Sequence, residues 1–236
     1  VSPIELFALI CVFAVVRIAI TIRPGVLATV PEGTQSMRTV VREYLDAFIV
    51  AGLVALFLIT FVVRTFYIPS GSMEPTLQIH DVLLVNEFEY RFVKPHHGDI
   101  VVFKPPVDSS NDFIKRLIGA PGDTLRIHNG VVIRNGVPLK EPYEAQKPNY
   151  ELEIKNYGIY VDGSRLDPQL ANIPPKSAWQ APDRIPNGYY FMMGDNRNNS
   201  EDSHIWGFAQ LHGTKSYFVG HAFLLFWPLN RIRILH

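Results

Sequence analysis

The stretch that most limits what this chain can fold into is Ala47 to Val63, 17 consecutive residues without a charge, bracketed by Asp46 and Arg64. As a helix it covers about 25 Å, and Leu45, Phe66 and Tyr67 extend it toward the ~30 Å of a bilayer core, with aromatic side chains at the interface. An earlier run, Pro3 to Ile22, is uninterrupted from Leu6 to Val16 but carries Glu5 and Arg17 near its ends. It spans a membrane if Arg17 snorkels to an interface. The rival reading is a cleaved signal peptide, against which stands the lack of any Lys or Arg ahead of the apolar core. Arg23, Arg38 and Arg42 lie at or between the runs, so the positive-inside rule puts the connection in the cytoplasm. The expectation is a membrane anchor over residues 1–66, with transmembrane helices at about 3–22 and 45–66. A second domain, 67–236, is then extracytoplasmic.

That second domain reads as β. Val82–Val85, Asp99–Phe103 and Tyr189–Met193 are short runs rich in β-branched and aromatic residues, bounded by Gly, Asp and Pro. Asn129-Gly130 and Asn135-Gly136, flanked by Leu125–Ile127 and Val131–Ile133, are the dipeptides of tight hairpin turns. From Glu141 to Asn187 the texture changes to seven prolines with many Tyr, Asn and Gln, which points to an inserted lobe over about 129–187. The apolar pattern returns at Tyr217 to Trp227. Net charge is zero with no basic block, so nothing invites nucleic acid. The single cysteine, Cys11, cannot form an internal disulfide.

Three polar segments carry the chemistry. Ile68-Pro69-Ser70-Gly71-Ser72-Met73-Glu74-Pro75-Thr76-Leu77 is a proline-bracketed loop in which Gly71 allows close backbone approach, a setting that suits an exposed nucleophile. Phe113-Ile114-Lys115-Arg116-Leu117-Ile118 reads as a strand, and period two puts Lys115 on the face of Phe113 and Leu117. Burying that ammonium lowers its pKa and turns it toward a general base; the plain alternative is a lysine snorkelling at a sheet edge. The third segment, Gly194 to Gly207, is dense in Asp, Asn and Ser. Asp202 and His204 also invite a Ser-His-Asp hydrolase, although no Gly-x-Ser-x-Gly elbow is present. His96-His97 has no third ligand at metal spacing. A membrane-tethered β-domain that binds a partner without catalysis is the rival from another class.

Taken together, Ser-Gly-Ser-Met-x-Pro-Thr at Ser70–Thr76, Gly98-Asp99-Ile100-Val101, Lys115-Arg116 ahead of Gly-x-Pro-Gly-Asp, and Gly-Asp-Asn-Arg-x-Asn-Ser-x-Asp-Ser from Gly194 resemble the ordered boxes of bacterial type I signal (leader) peptidases. The resemblance runs from about Arg64 to Trp227, apart from the inserted lobe. It implies a coiled all-β catalytic domain that removes signal peptides from exported preproteins at the outer face of the cytoplasmic membrane. It further implies Ser72 as nucleophile and Lys115 as general base, with no histidine, metal or cofactor. The Ser72 N–H and the Ser70 hydroxyl match the oxyanion hole, Ser200 the residue that orients the lysine, and Asp202 a supporting acid. Arg116 and Asp195 match a structural ion pair. Phe66, Ile68, Pro69, Met73, Leu77, Phe113 and Ile114 match the lining of two shallow pockets for small side chains at the first and third positions before the cut. Two positions depart from the family pattern: Asn198 replaces a usual aspartate, and His204 replaces a common arginine, which leaves an ion pair from Asp202 to that position open.

Overall fold

Period-two alternation dominates the chain beyond residue 63, and helical periodicity is confined to its front. The computed structural model describes residues 3–22, 37–61, 63–106, 110–214 and 216–235. It divides into two units, Val1–Arg64 and Thr65–His236.

The first unit is a pair of helices, α1 (Pro3–Ile22) and α2 (Met37–Phe61). Arg17 pairs with Asp46, Phe13 lies 5.8 Å from Phe48, and Ile10 packs where a Cβ on Gly52 would sit 2.8 Å away, so the helices run antiparallel. Among the described residues no helix is long and apolar enough to cross a membrane. The expected spans at about 3–22 and 45–66 are therefore not supported. The physical reason is that α2 stops at Phe61 and a strand opens at Val63, taking Phe66 and Tyr67 with it. That leaves residues 47 to 61 of the apolar run helical, roughly 22 Å at ~1.5 Å per residue. In α1, Glu5 and Arg17 interrupt the apolar surface. The connection expected to be cytoplasmic, over 23–36, lies outside the described residues.

The second unit is β throughout, with one short helix and scattered 3₁₀ turns. Its strands in chain order are β1 (Val63–Tyr67), β2 (Val82–Asn86), β3 (Ile100–Lys104), β4 (Phe113–Gly119), β5 (Leu125–His128), β6 (Val131–Arg134) and β7 (Val137–Pro138). There follow β8 (Leu152–Lys155), β9 (Gly158–Val161), β10 (Ser164–Arg165), β11 (Tyr189–Met193), β12 (Ala209–Gln210), β13 (Tyr217–Trp227) and β14 (Arg233–Ile234). The large sheet runs β1-β2-β13-β3-β4-β11-β12, with β14 beside β13. The smaller runs β10-β9-β8-β5-β6-β7.

The long strand β13 pairs with β2 along its second half and with β3 along its first, shifting register at Phe218/Gly220, Ala222/Leu224 and Leu225/Trp227. Such irregularities bend a strand and tighten its twist, which coils the sheet. Gly220 sits at one of them, where a Cβ would meet the Asn86 carbonyl oxygen at 2.5 Å. In the smaller sheet both Asn-Gly pairs turn with φ positive at each residue, 51° and 73° at Asn129-Gly130 and 53° and 77° at Asn135-Gly136. That is the turn whose twist matches flanking antiparallel strands. Within the proline-rich stretch β8 still alternates, burying Leu152 and Ile154 while Glu153 and Lys155 face outward. Those residues share a core with Ile127, Val132, Trp179, Phe191 and Phe208, so the lobe is packed onto the β11 side of the large sheet. A second core beneath β1 to β3 contains Ile68, Met73, Leu77, Leu83, Val85, Ile100 and Val102.

Candidate active site

The loop after β1 is closed by backbone bonds from Ile68 N–H to the Asp81 carbonyl (2.9 Å) and from His80 N–H to the Ile68 carbonyl (2.9 Å). Asp81 is buried and held by Arg231 through two bonds of 2.9 Å, while its carboxylate accepts from Gln78 N–H (2.7 Å). Inside this frame the chain makes a single 3₁₀ turn, Gly71–Met73, with Met73 and Leu77 pointing into the core. The opposite wall clamps the turn: Asn196 Nδ2 donates to the Gly71 carbonyl (3.0 Å) and Asn196 N–H to the Ser72 carbonyl (3.1 Å). Ser72 is thereby fixed from both sides. Ser70 precedes the turn without capping it, and is exposed.

Lys115 lies on β4, between β3 and β11 and opposite Val101, so it is an interior position and not a sheet edge. It is 4% exposed, and its Nζ is 2.7 Å from Ser72 Oγ and 5.6 Å from the Phe113 ring centroid. Burial lowers its pKa to about 8, against the opposing pull of the Asp202, Glu201 and Asp195 charges. Only the desolvation cost of an ammonium outweighing three nearby carboxylates gives this sign.

The segment after β11 supplies the third wall. Gly194 packs so tightly that a Cβ would lie 2.4 Å from the Ser72 carbonyl oxygen and 2.3 Å from Ser200 Oγ. Ser200 Oγ is buried and has no hydrogen-bond partner among the described residues, so no bond to Lys115 is formed. Asp202 is fully buried, caps α3 (Ser203–Trp206) by accepting from His204 N–H, and accepts from Gly194 N–H (3.0 Å). His204 Nδ1 lies 2.6 Å from Asp202, with its ring stacked on Tyr150 at 4.4 Å. No hydrogen bond joins His204 to a serine among the described residues. Asn198 uses both ends of its amide, donating to the Lys147 carbonyl (3.0 Å) and accepting from Asn149 N–H (2.9 Å), which an ionised aspartate could not do. His97 pairs with Asp123 at 2.6 Å.

Between these walls lies a groove of about 550 Å³ lined by Phe66, Ile68, Pro69, Met73, Phe113 and Ile114 on its apolar side. Ser72 and buried Lys115 lie at its floor, with the exposed Tyr67, Ser70, Asn111, Asp112, Asn199 and Glu201 at its rim. Leu77 does not line it; that side chain is wholly buried beneath Met73. A family model described as "Signal peptidase, peptidase S26" matches residues 41–227. The chain belongs to the signal peptidase family, peptidase S26. A probable signal peptidase I-1 of Synechocystis sp. is 38% identical over 198 residues, 81% of this chain and 85% of its own length. Signal peptidase I of Leptolyngbya laminosa is 37% identical over 180 residues, 73% of each chain. Signal peptidase I of Aquifex aeolicus is 31% identical over 220 residues, covering 79% and 84%. As a signal peptidase the chain is a serine peptidase, a hydrolase.

A buried cluster braces this signal peptidase groove from behind; the resemblance named its Arg116–Asp195 pair, while Arg197, Glu141 and Tyr143 had no role from the sequence. Arg116 donates twice to Asp195 (2.9 and 2.8 Å) and once to the Gly98 carbonyl (2.8 Å). Arg197 donates twice to Glu141 (2.9 and 2.8 Å) with both side chains almost fully buried. The Tyr143 ring lies between the guanidiniums, 3.9 Å from Arg116 and 5.9 Å from Arg197. The arginine of the Gly-Asp-Asn-Arg box was the available signal, but its partner stands 56 residues earlier in the chain.

The buried lysine carries a stability cost of known sign. With a folded pKa near 8 against 10.5 in the unfolded chain, both states are neutral above about pH 10.5 and the cost vanishes there. As pH falls from 10.5 toward 8 the unfolded chain protonates first, and below 8 the full cost, on the order of 3 kcal/mol, applies. Lys115→Met, which keeps the volume, is expected to raise unfolding stability at pH 7 by about 2–3 kcal/mol and to lose that gain above pH 10.5. Denaturant titrations at pH 7 and pH 11 check it; a variant less stable than its parent at pH 7 contradicts a desolvated lysine.

Proposed function

We propose that this signal peptidase hydrolyses preproteins with Ser72 as nucleophile and neutral Lys115 as general base. The observation that carries this reading is the 2.7 Å separation of Lys115 Nζ and Ser72 Oγ, with the amine buried and its pKa lowered to about 8. About a tenth of such a lysine is neutral at pH 7, against well under a thousandth at the ordinary pKa. The neutral amine takes the Ser72 proton as Oγ attacks the scissile carbonyl carbon. Charge developing on the carbonyl oxygen is met by the Ser72 N–H and the Ser70 hydroxyl. The ammonium then returns its proton to the departing amine, leaving an acyl-serine that water cleaves with Lys115 again as base. Asp202 opposes the loss of charge on Lys115, which keeps the base from becoming too weak. Ser200 is assigned to orient the amine by turning its unpartnered hydroxyl toward it.

The apolar wall of Phe66, Ile68, Pro69, Met73, Phe113 and Ile114 supports specificity for small side chains at the first and third positions before the cut, because larger ones overlap a packed surface. Arg116 and Asp195 hold the strand and loop that carry Lys115 and the Gly194 segment. In the front unit Phe7, Val12, Val15, Phe48, Val50 and Phe57 are all exposed, which supports a lipid-facing anchor for a domain working outside the cytoplasm.

Cleavage of an Ala-x-Ala peptide by the detergent-solubilised chain tests the chemistry. Lys115→Arg and Ser72→Ala are expected to lose at least ~10³-fold in kcat/KM, since guanidinium does not deprotonate. His204→Ala keeps substantial activity, the acid limb of the kcat/KM profile bends near pH 8, and Phe at the first position is refused. Near-full activity of Lys115→Arg, with loss in His204→Ala, overturns the Lys115 assignment. Flotation tests the anchor: the chain should rise with phospholipid vesicles, and its recovery in the lipid-free fraction overturns a lipid-facing front unit.

A further inference from the structure

Two carboxylates lie at the rim of the groove, Asp112 and Glu201, and they differ in how their charge is spent. Asp112 is paired with Lys104 at 3.0 Å. Glu201 is exposed and makes no hydrogen bond or ion pair among the described residues. It is held in place because its neighbours are fixed: Ser200 and Asp202 on either side are buried, and Asp202 anchors to Gly194 and caps α3. The groove's described lining contains no cation besides the buried Lys115. A carboxylate with no hydrogen bond or ion pair among the described residues, its charge felt by Lys115, therefore lines the same groove as Ser72, on a loop whose neighbouring residues are fixed.

Resting on the reading of this groove as the peptide-binding site, we propose that Glu201 is a specificity-determining residue, selecting a basic side chain of the preprotein next to the cut and disfavouring an acidic one. An extended peptide alternates its side chains between two faces. If positions one and three before the cut enter the apolar wall, position two before it and position one after it face the opposite side. Those are the positions open to a rim carboxylate. The interaction is between exposed charges, so it is modest and is screened by salt. The same carboxylate also holds the Lys115 pKa up against burial, so its removal lets the lysine become neutral at lower pH.

The test uses the full chain in detergent and peptides with alanine at positions one and three before the cut. Lys, Gln or Glu is placed in turn at position two before the cut and at position one after it. At one of these positions kcat/KM should fall about 3–10-fold from Lys to Gln, fall again to Glu, and converge in 0.5 M NaCl. In Glu201→Gln the three peptides should come within about twofold of one another, and the acid limb should move to lower pH. Asp112→Asn, whose parent charge is already paired, should keep the Lys preference. Equal cutting of the Lys and Glu peptides by the parent chain, or a preference that survives Glu201→Gln, overturns the inference while leaving the groove assignment intact. Failure of the parent chain to cut any peptide overturns the groove assignment, and the inference with it.

Discussion

Everything around the groove depends on keeping an ammonium-bearing side chain out of water. A lysine on an edge strand would lift its amine into solvent and hold its ordinary pKa. Lys115 cannot do so, because β4 has β3 on one side and β11 on the other, and Ser72 Oγ occupies the only polar exit described for it. The sheet order is thus a chemical device as well as an architectural one. The coiling of β13 brings β2 and β3 to the same strand and sets the loop after β1 above β4.

The cost of that burial is offset by rigidity gained elsewhere. Three segments around the groove are tied by charge-assisted bonds from arginine: Arg231 on Asp81, Arg116 on Asp195, Arg197 on Glu141. Two-pronged guanidinium–carboxylate pairs fix orientation as well as distance. Gly194, with no room for a side chain, lets two of these tied segments touch.

Much of this was legible in the chain itself. The Asn-Gly turns, the strand around Lys115 and the segregation of polar residues after Met193 all follow from local pattern, and the structure has a turn, an interior strand and a loop at those places. Local pattern fails where a partner is distant. Nothing near Arg197 announces Glu141, and nothing near Tyr150 announces the ring of His204. The apolar run at Ala47–Val63 meets a related limit: hydropathy is blind to where a helix ends, and this helix stops at Phe61, with β1 opening at Val63. Leu77 matches a pocket position by resemblance alone, and a fully apolar side chain there packs into the core beside Met73 and not into the groove.

The lobe that carries the smaller sheet is rooted at two places in the segment from Asp195 to Phe208, part of which lines the candidate groove. At one root Glu141, Ala145, Gln146 and the Lys147 carbonyl bond to Arg197, Asp195, Asn196 and Asn198. At the other, Asn172 exchanges backbone bonds with Trp206 and Phe208, and a Cβ on Gly207 would strike it at 2.8 Å. The hairpin of β9 and β10, by contrast, turns at Gly163, where a Cβ would meet nothing, just past Asp162 with its two bonds to Glu151. Evolution of lobe length is thereby channelled: residues can be added or removed at that distal tip with little consequence, whereas the same change at either root would pull on the walls that hold Ser72.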